Sequence, residues 1–196
     1  MVRLEPLREE DTEQFILDNQ EAFRYGTLEE FGQRDSHFEE DGEIISRQTI
    51  ETAIETGIAY RIINDGEIVG GLVLRVDGTK GELELLFVSP KEHSKGIGYA
   101  AWQAVEKQYP QVKVWETMTP YFETRNIHFY VNRLGFHIVE YFYDKHPDPH
   151  VPEGMIMTGC FVFKRSYQIL RLKIIANVDT QKGTSSRLFL FMVWFC

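Results

Sequence analysis

Cysteine is scarce in this chain: Cys160 and Cys196 are the two among 196 residues, so a framework of disulfides is excluded. Positive charge is in deficit, with 21 lysines and arginines against 30 aspartates and glutamates, a net of −9. A protein that holds nucleic acid or an anionic membrane draws its affinity largely from a basic face, so neither partner is expected. The opening MVRLEPLREEDTEQF lacks the apolar core of a secretion signal, and a cytoplasmic protein is expected. Long hydrophobic runs are missing too. The most apolar, Leu188 to Cys196, has nine residues; a spanning helix needs roughly 18 or more. Neither a Walker sequence nor a serine nucleophile elbow occurs.

What is present is the composition of a folded protein, 43% hydrophobic and 26% charged. The charge is unevenly spread. Residues 1–165 hold 17 basic and 29 acidic side chains, whereas 166–196 hold four basic ones and a single acid, Asp179. The tail closes on LFLFMVWFC, which left uncovered would make a sticky strand. It reads either as an extra strand or dimer arm, leaving a homodimer open, or as an extension foreign to the fold. The second is expected, because the pattern before it closes without it. The domain is therefore placed at 1–165 and the extension at 166–196.

Along residues 1–165 the pattern predicts a strand at Val2–Glu5, one or two helices over Glu9–Tyr25 and a polar loop or helix-loop from Gly26 to Glu43. A helix follows over Arg47–Thr56, stopped at Gly57 by a helix-ending glycine. IAYRIINDGEIVGGLVLRV reads as a hairpin turning at Asn64-Asp65-Gly66, and a second turn at Asp77–Gly81 leads into the strand ELELLFV. Ile97, Ala100, Ala101, Ala104 and Val105 then keep helical spacing, Val112–Trp115 reads as a short strand, and Ile127, Tyr130, Val131 and Leu134 mark a second helix closed at Gly135. Two last strands are predicted at Phe136–Tyr143 and Met157–Lys164. The sum is a single α/β domain of the α+β type, a mixed and mostly antiparallel sheet flanked by helices.

The richest segment is ELELLFVSPKEHSKGIGYAAW, Glu82 to Trp102. A strand ends near Val88, a loop follows, and a helix opens around Gly96-Ile97-Gly98. Glycines there let a ligand approach the backbone, and unpaired N–H groups of a helix start suit a pyrophosphate, with Lys95 adding charge. Gly96-Ile97-Gly98-Tyr99-Ala100-Ala101 also fits the dinucleotide fingerprint, with Glu116 about 20 residues on. A dinucleotide-binding oxidoreductase is thus the alternative. It ranks second, because the fingerprint should open directly at the strand end and the upstream half consists of hairpins.

VSPKEHSKGIGYAAW resembles motif A of the GNAT superfamily of acyl-CoA-dependent N-acetyltransferases, Arg/Gln-x-x-Gly-x-Gly/Ala. Gly96 and Gly98 match, and His93 departs at the first position. RNIHFYVNRLGF, Arg125 to Phe136, resembles motif B, with one residue more than usual between Phe129-Tyr130 and Gly135. An inserted residue turns a helix by about 100°, unless a looser helix end absorbs it. The order of elements up to Lys164 matches the family's sheet as well.

The resemblance implies an N-acetyltransferase that takes acetyl-CoA as co-substrate, needs no metal and acts on a small-molecule or peptide amine. It implies that the pyrophosphate lies on the loop His93, Ser94, Lys95, Gly96, Ile97 and Gly98, with Tyr99 beyond it. The pantetheine arm then runs along Leu86, Phe87 and Val88, where the sheet splays, and Asn126 contacts the cofactor. Tyr130 stands where the family keeps its general acid. A base is needed, because a free amine has a pKa near ~10. Strand alternation places Glu82 and Glu84 on one face with Leu86 and Val88, so both are candidates, Glu82 first, and Glu116 is a third. A non-catalytic acyl-CoA-binding domain is a further alternative. The acids Glu29, Glu30, Asp35, Glu39, Glu40, Asp41 and Glu43 could draw a cationic amine, though a solvated face is the simpler reading. His146 and His150 lack a third ligand nearby, and Cys160 reads as buried.

Overall fold

A computed structural model describes residues 1–31, 43–93, 95–149 and 159–167, with the side chains of 27–31 excluded. Seven strands form one sheet: β1 (Arg3–Pro6), β2 (Ile58–Asn64), β3 (Glu67–Asp77), β4 (Lys80–Val88), β5 (Val114–Pro120), β6 (His137–Phe142) and β7 (Cys160–Ser166). Their order is β1-β2-β3-β4-β5-β7-β6. All neighbours are antiparallel except β4 and β5, which run parallel. The helix α3 (Ile97–Gln108) makes that one parallel crossover. Two parallel-stranded mononucleotide halves, as a dinucleotide fold requires, are not found among the described strands.

The sheet separates two cores. On one face lie α1 (Thr12–Phe31) and α2 (Arg47–Thr56); on the other lie α3 and the short α4 (Thr124–His128) with the turn after it. Phe15, Ile16, Asn19 and Ala22 recur at helical spacing and are buried, so α1 presents one stripe to the sheet. Phe15 meets Phe87 edge-on at 5.0 Å. Arg61 of β2, itself buried, reaches Asp18 at 2.7 Å and covers the Phe15 ring, which fixes the helix against the strand. The opposite core is built on Trp102 and Trp115, 5.2 Å apart and edge-on, with Phe136 beside them.

The local predictions mostly hold. The hairpin turns at Asp65 and Gly66, both at positive φ, the requirement of a tight two-residue turn. Ser46 caps α2, its hydroxyl accepting from the Thr49 amide at 3.0 Å. Gly57 ends that helix for a different reason than expected. It is extended, not left-handed, and a Cβ there would stand 2.6 Å from Val73 and 2.9 Å from the Leu74 carbonyl. Two elements run longer than the pattern suggests: α1 continues through Gly26, and β5 continues from Trp115 to Pro120. β7 reaches Ser166, and the Tyr167 amide donates to the Lys113 carbonyl at 2.7 Å, so the described fold extends two residues past Arg165. The tail beyond lies outside the described residues, as does His150. No helix among the described residues is long and apolar enough to cross a membrane.

Candidate active site

The site begins where two strands part. β4 and β5 are in parallel register from Lys80↔Val114 to Leu83↔Thr117 and no further. Beyond that, β4 follows β3 to Val88, while β5 follows β7 to the pair Pro120↔Cys160. The Thr117 hydroxyl donates to the Leu83 carbonyl at 2.9 Å, a clasp at the fork. Above it no described strand pairs with β4 on its β5 side. The Ser89 amide donates to Val69 on β3, so by alternation Leu86 and Val88 turn their N–H and C=O groups into the gap.

One residue breaks the alternation assumed from sequence. Val73 opposes Leu85 and Leu74 opposes Leu83, which leaves Glu84 as the extra residue of a β-bulge. Leu83, Leu86 and Val88 pack toward α3, whereas Leu85 and Phe87 pack toward α1. Glu82 and Glu84 do share a face, since both approach Arg75, but it is the face of Leu85 and Phe87, not that of Leu86 and Val88.

The gap opens into a cleft of about 510 Å³. Leu86, Phe87 and Val88 form its floor, and Ala22, Phe23 and Gly26 of α1 close one end. His93, Gly96, Ile97, Gly98 and Tyr99 of the glycine loop and α3 line it, together with Arg125, Asn126, Tyr130 and Arg133 from α4 and the turn after it. Gly96 sits at φ 75° as the residue before α3, where a side chain would be strained. Gly98 faces Phe129, and a Cβ would lie 3.3 Å from that ring. These two glycines shape the loop as a phosphate cradle requires, and the amides of the first turn of a 12-residue helix open onto it.

His93 serves as a tie at this loop. Its Nε2 lies 2.9 Å from the Val88 carbonyl, which can only accept, so that nitrogen carries the proton. Its Nδ1 therefore accepts, and the partner is Arg125 at 3.0 Å. Lys95 turns to Glu92 at 3.0 Å and does not line the cleft. Ser94 lies outside the described residues. Asn126 is inside α4, not at its start, and donates to Glu123.

Tyr130 is buried against Phe129, Phe136 and Phe163 while still lining the cleft. Its hydroxyl is close to Thr117 at the fork; burial above all pushes its pKa up to about 12, the Glu123 charge adding to this and Thr117 opposing it. The residue inserted before Gly135 is absorbed where it arises. Phe129–Arg133 form a π turn, in which the Leu134 amide reaches five residues back to the Phe129 carbonyl at 3.0 Å. The widened turn takes up the surplus, and Gly135 closes it at φ 73°.

The three acids differ sharply. Glu84 is 17% exposed, 3.0 Å from Arg75, and its carboxyl is pushed up to about 7, first by burial and then by the charge of Glu82. Glu82 is half exposed, and Glu116 pairs with Lys164 at 3.2 Å. None of the three lines the cleft. Of the seven acids named as an amine-attracting face, Glu43 is described, paired with Arg24 at 2.6 Å; the side chains of the other six lie outside the described residues. His146 pairs with Glu140, and no group of three metal-ligating side chains occurs among the described residues.

Residues 7–136 match the model of the Acetyltransferase (GNAT) family. The chain belongs to the GNAT acetyltransferase family. A Bacillus subtilis (strain 168) relative, the uncharacterized protein YrkN, is 44% identical over 154 residues, covering 76% of this chain and 80% of the relative. GNAT structures share the fold at low identity. The ribosomal-protein-S18-alanine N-acetyltransferase of Escherichia coli superposes with a TM-score of 0.61 at 13% identity, covering 89% of this chain and 99% of its own. An Elizabethkingia anophelis GNAT acetyltransferase with acetyl-CoA bound gives 0.55 at 18%, covering 84% and 97%. The PaiA N-acetyltransferase of Thermoplasma acidophilum in complex with coenzyme A gives 0.57 at 16%, covering 85% and 99%. What the GNAT motifs in the sequence did not bring forward are Thr117, Arg125 and Arg133. Arg125 directly precedes Asn126 in the motif B segment, so its position was in view and its reach was not.

Proposed function

We propose that this GNAT protein transfers the acetyl group of acetyl-CoA to a primary amine by direct attack in the cleft above the β4–β5 fork. The observation that carries the reading is the coincidence, at one place, of an open strand edge, a glycine-shaped helix start and the Tyr130 hydroxyl. The open edge at Leu86 and Val88 accepts an extended amide-bearing arm as an added strand, and the helix start takes the diphosphate. N–H groups near Val88 polarise the thioester carbonyl.

Glu84 is the base in this scheme, ahead of Glu82, because its carboxyl is the one poised near neutrality. It does not line the cleft, so the proton travels to it through water. The amine nitrogen attacks the thioester carbon, the C–N bond forms, the C–S bond breaks, and Tyr130 returns a proton to the departing sulfur. With a pKa of about 12, Tyr130 holds that proton throughout the physiological range. The acceptor is a small-molecule or peptide amine. The test is release of free thiol from acetyl-CoA across a panel of such amines. Turnover on at least one is expected, whereas binding of acetyl-CoA without turnover on any would make the protein an acyl-CoA-binding domain.

A further inference from the structure

Among the described residues, the glycine loop contributes no lysine or arginine to the lining of the cleft. Both ring nitrogens of His93 are engaged in hydrogen bonds, and Lys95, which does not line the cleft, is paired with Glu92, which does. The fixed positive charges that line the cleft among the described residues are Arg125 and Arg133, both from the segment after β5 and neither from the loop. Glu92 and Glu123 line it too, so an anion entering would meet both signs, and placement of each guanidinium matters. Arg125 is placed against the loop itself, with one guanidinium nitrogen 3.0 Å from His93 Nδ1. Arg133 instead lies over the Tyr99 ring, 5.7 Å from its centre, at the first turn of α3.

We infer that Arg125 neutralises the diphosphate of the acyl-CoA from α4, beside the loop, and that His93 is the positioning residue that aims it. This rests on the acyl-CoA reading of the cleft. The chemistry fits on both sides. A guanidinium is always charged and offers five N–H donors in a planar fork, which suits a phosphate oxygen pair. His93 joins two elements: it donates to the end of β4 and accepts from α4, so it ties Arg125 to the strand along which the pantetheine arm is proposed to lie. The charge that would sit on the loop is delivered by a different helix, and the loop residue supplies an acceptor in its place.

The experiment is calorimetric titration of the full chain with acetyl-CoA and with S-acetylpantetheine, which lacks the diphosphate. Arg125→Gln is expected to weaken acetyl-CoA by about tenfold to a hundredfold, the range for a hydrogen bond to a charged group. Its affinity for S-acetylpantetheine and its melting temperature without ligand should stay those of the unmodified protein. Arg125→Lys should recover part of the loss, and Arg133→Gln should lose less than Arg125→Gln. His93→Leu should weaken acetyl-CoA but not S-acetylpantetheine, and His93→Gln, whose carbonyl can accept from Arg125, should restore binding. If the unmodified protein binds acetyl-CoA and Arg125→Gln matches it within about twofold, the inference is overturned and the acyl-CoA reading stands. If the unmodified protein binds neither ligand, both fall together.

Discussion

The two halves of β4 share one neighbour, β3, and differ in the other. From Lys80 to Leu83 the strand is sealed into the sheet, laddered to β5, with Gly81 so close under Trp115 that a Cβ would stand 2.4 Å from the indole. From Glu84 to Val88 no described strand pairs on the β5 side, a bulge interrupts the pleat, and a cleft replaces the ladder. The closed half contributes stability. The open half gives up hydrogen bonds that a sheet would normally make, and a substrate can complete them. The change falls at one residue, and the clasp between Thr117 and Leu83 marks it from the other strand.

The largest way to break the comparison is to damage the closed half. Trp115→Ala removes a fully buried indole and should cost about 3–5 kcal/mol of stability, read as a fall in the urea midpoint. The open half should fail differently. Glu84→Gln should lower amine-dependent turnover about a hundredfold while leaving the melting temperature near neutral pH unchanged or higher. In the unmodified protein, turnover should rise with pH through about 7, as the carboxyl loses its proton. Stability should move the other way. The folded carboxyl holds its proton up to about 7 and the unfolded one only to about 4.5, so Glu84 makes stability fall as pH rises between those values. Glu84→Gln should flatten both profiles, and an unaltered rate profile would remove Glu84 from the mechanism.

A smaller effect is expected at the other lip of the fork. Tyr130→Phe should reduce turnover about tenfold, because a thiolate of pKa near ~8.5 leaves with little help, and should leave the melting temperature nearly unchanged. The smallest is the tail. A chain ending at Tyr167 keeps β7 and both cores as described, so its shift in melting temperature with acetyl-CoA should equal that of the full chain. Loss of the fold on truncation would instead make residues 168–196 part of it.

The closed half was the legible one, and the open half only partly. Turns and helix stripes are local, so the helix Arg47–Thr56, the turn at Asp65-Gly66 and the α3 periodicity could be read directly, and the glycine loop with them. The bulge could not. ELELLFV alternates without a break, and no glycine or proline flags Glu84 as the surplus residue, because the cause is its pairing with Leu74 and Val73 on another strand. β5 was read short for a similar reason: beyond Trp115 its inward residues are Thr117 and Thr119, buried but polar. Arg125 was passed over because its meaning lies in a contact 32 residues away in the chain. Sequence pattern reports what a residue faces on average; the site depends on what two strands do after they separate.

The π turn at Phe129–Arg133 carries a lesson about length. A helix given one surplus residue must either spin everything before it or swell at one place, and here it swells. The swelling works like an expansion joint in a rigid frame: the error is taken up over a single turn, and the parts on either side keep their bearings. Tyr130 therefore still meets the fork, and Arg125 still meets the loop, although the chain between them and Gly135 has changed its count. Families that anchor their chemistry to short helices can drift in length at such joints without retuning the reaction.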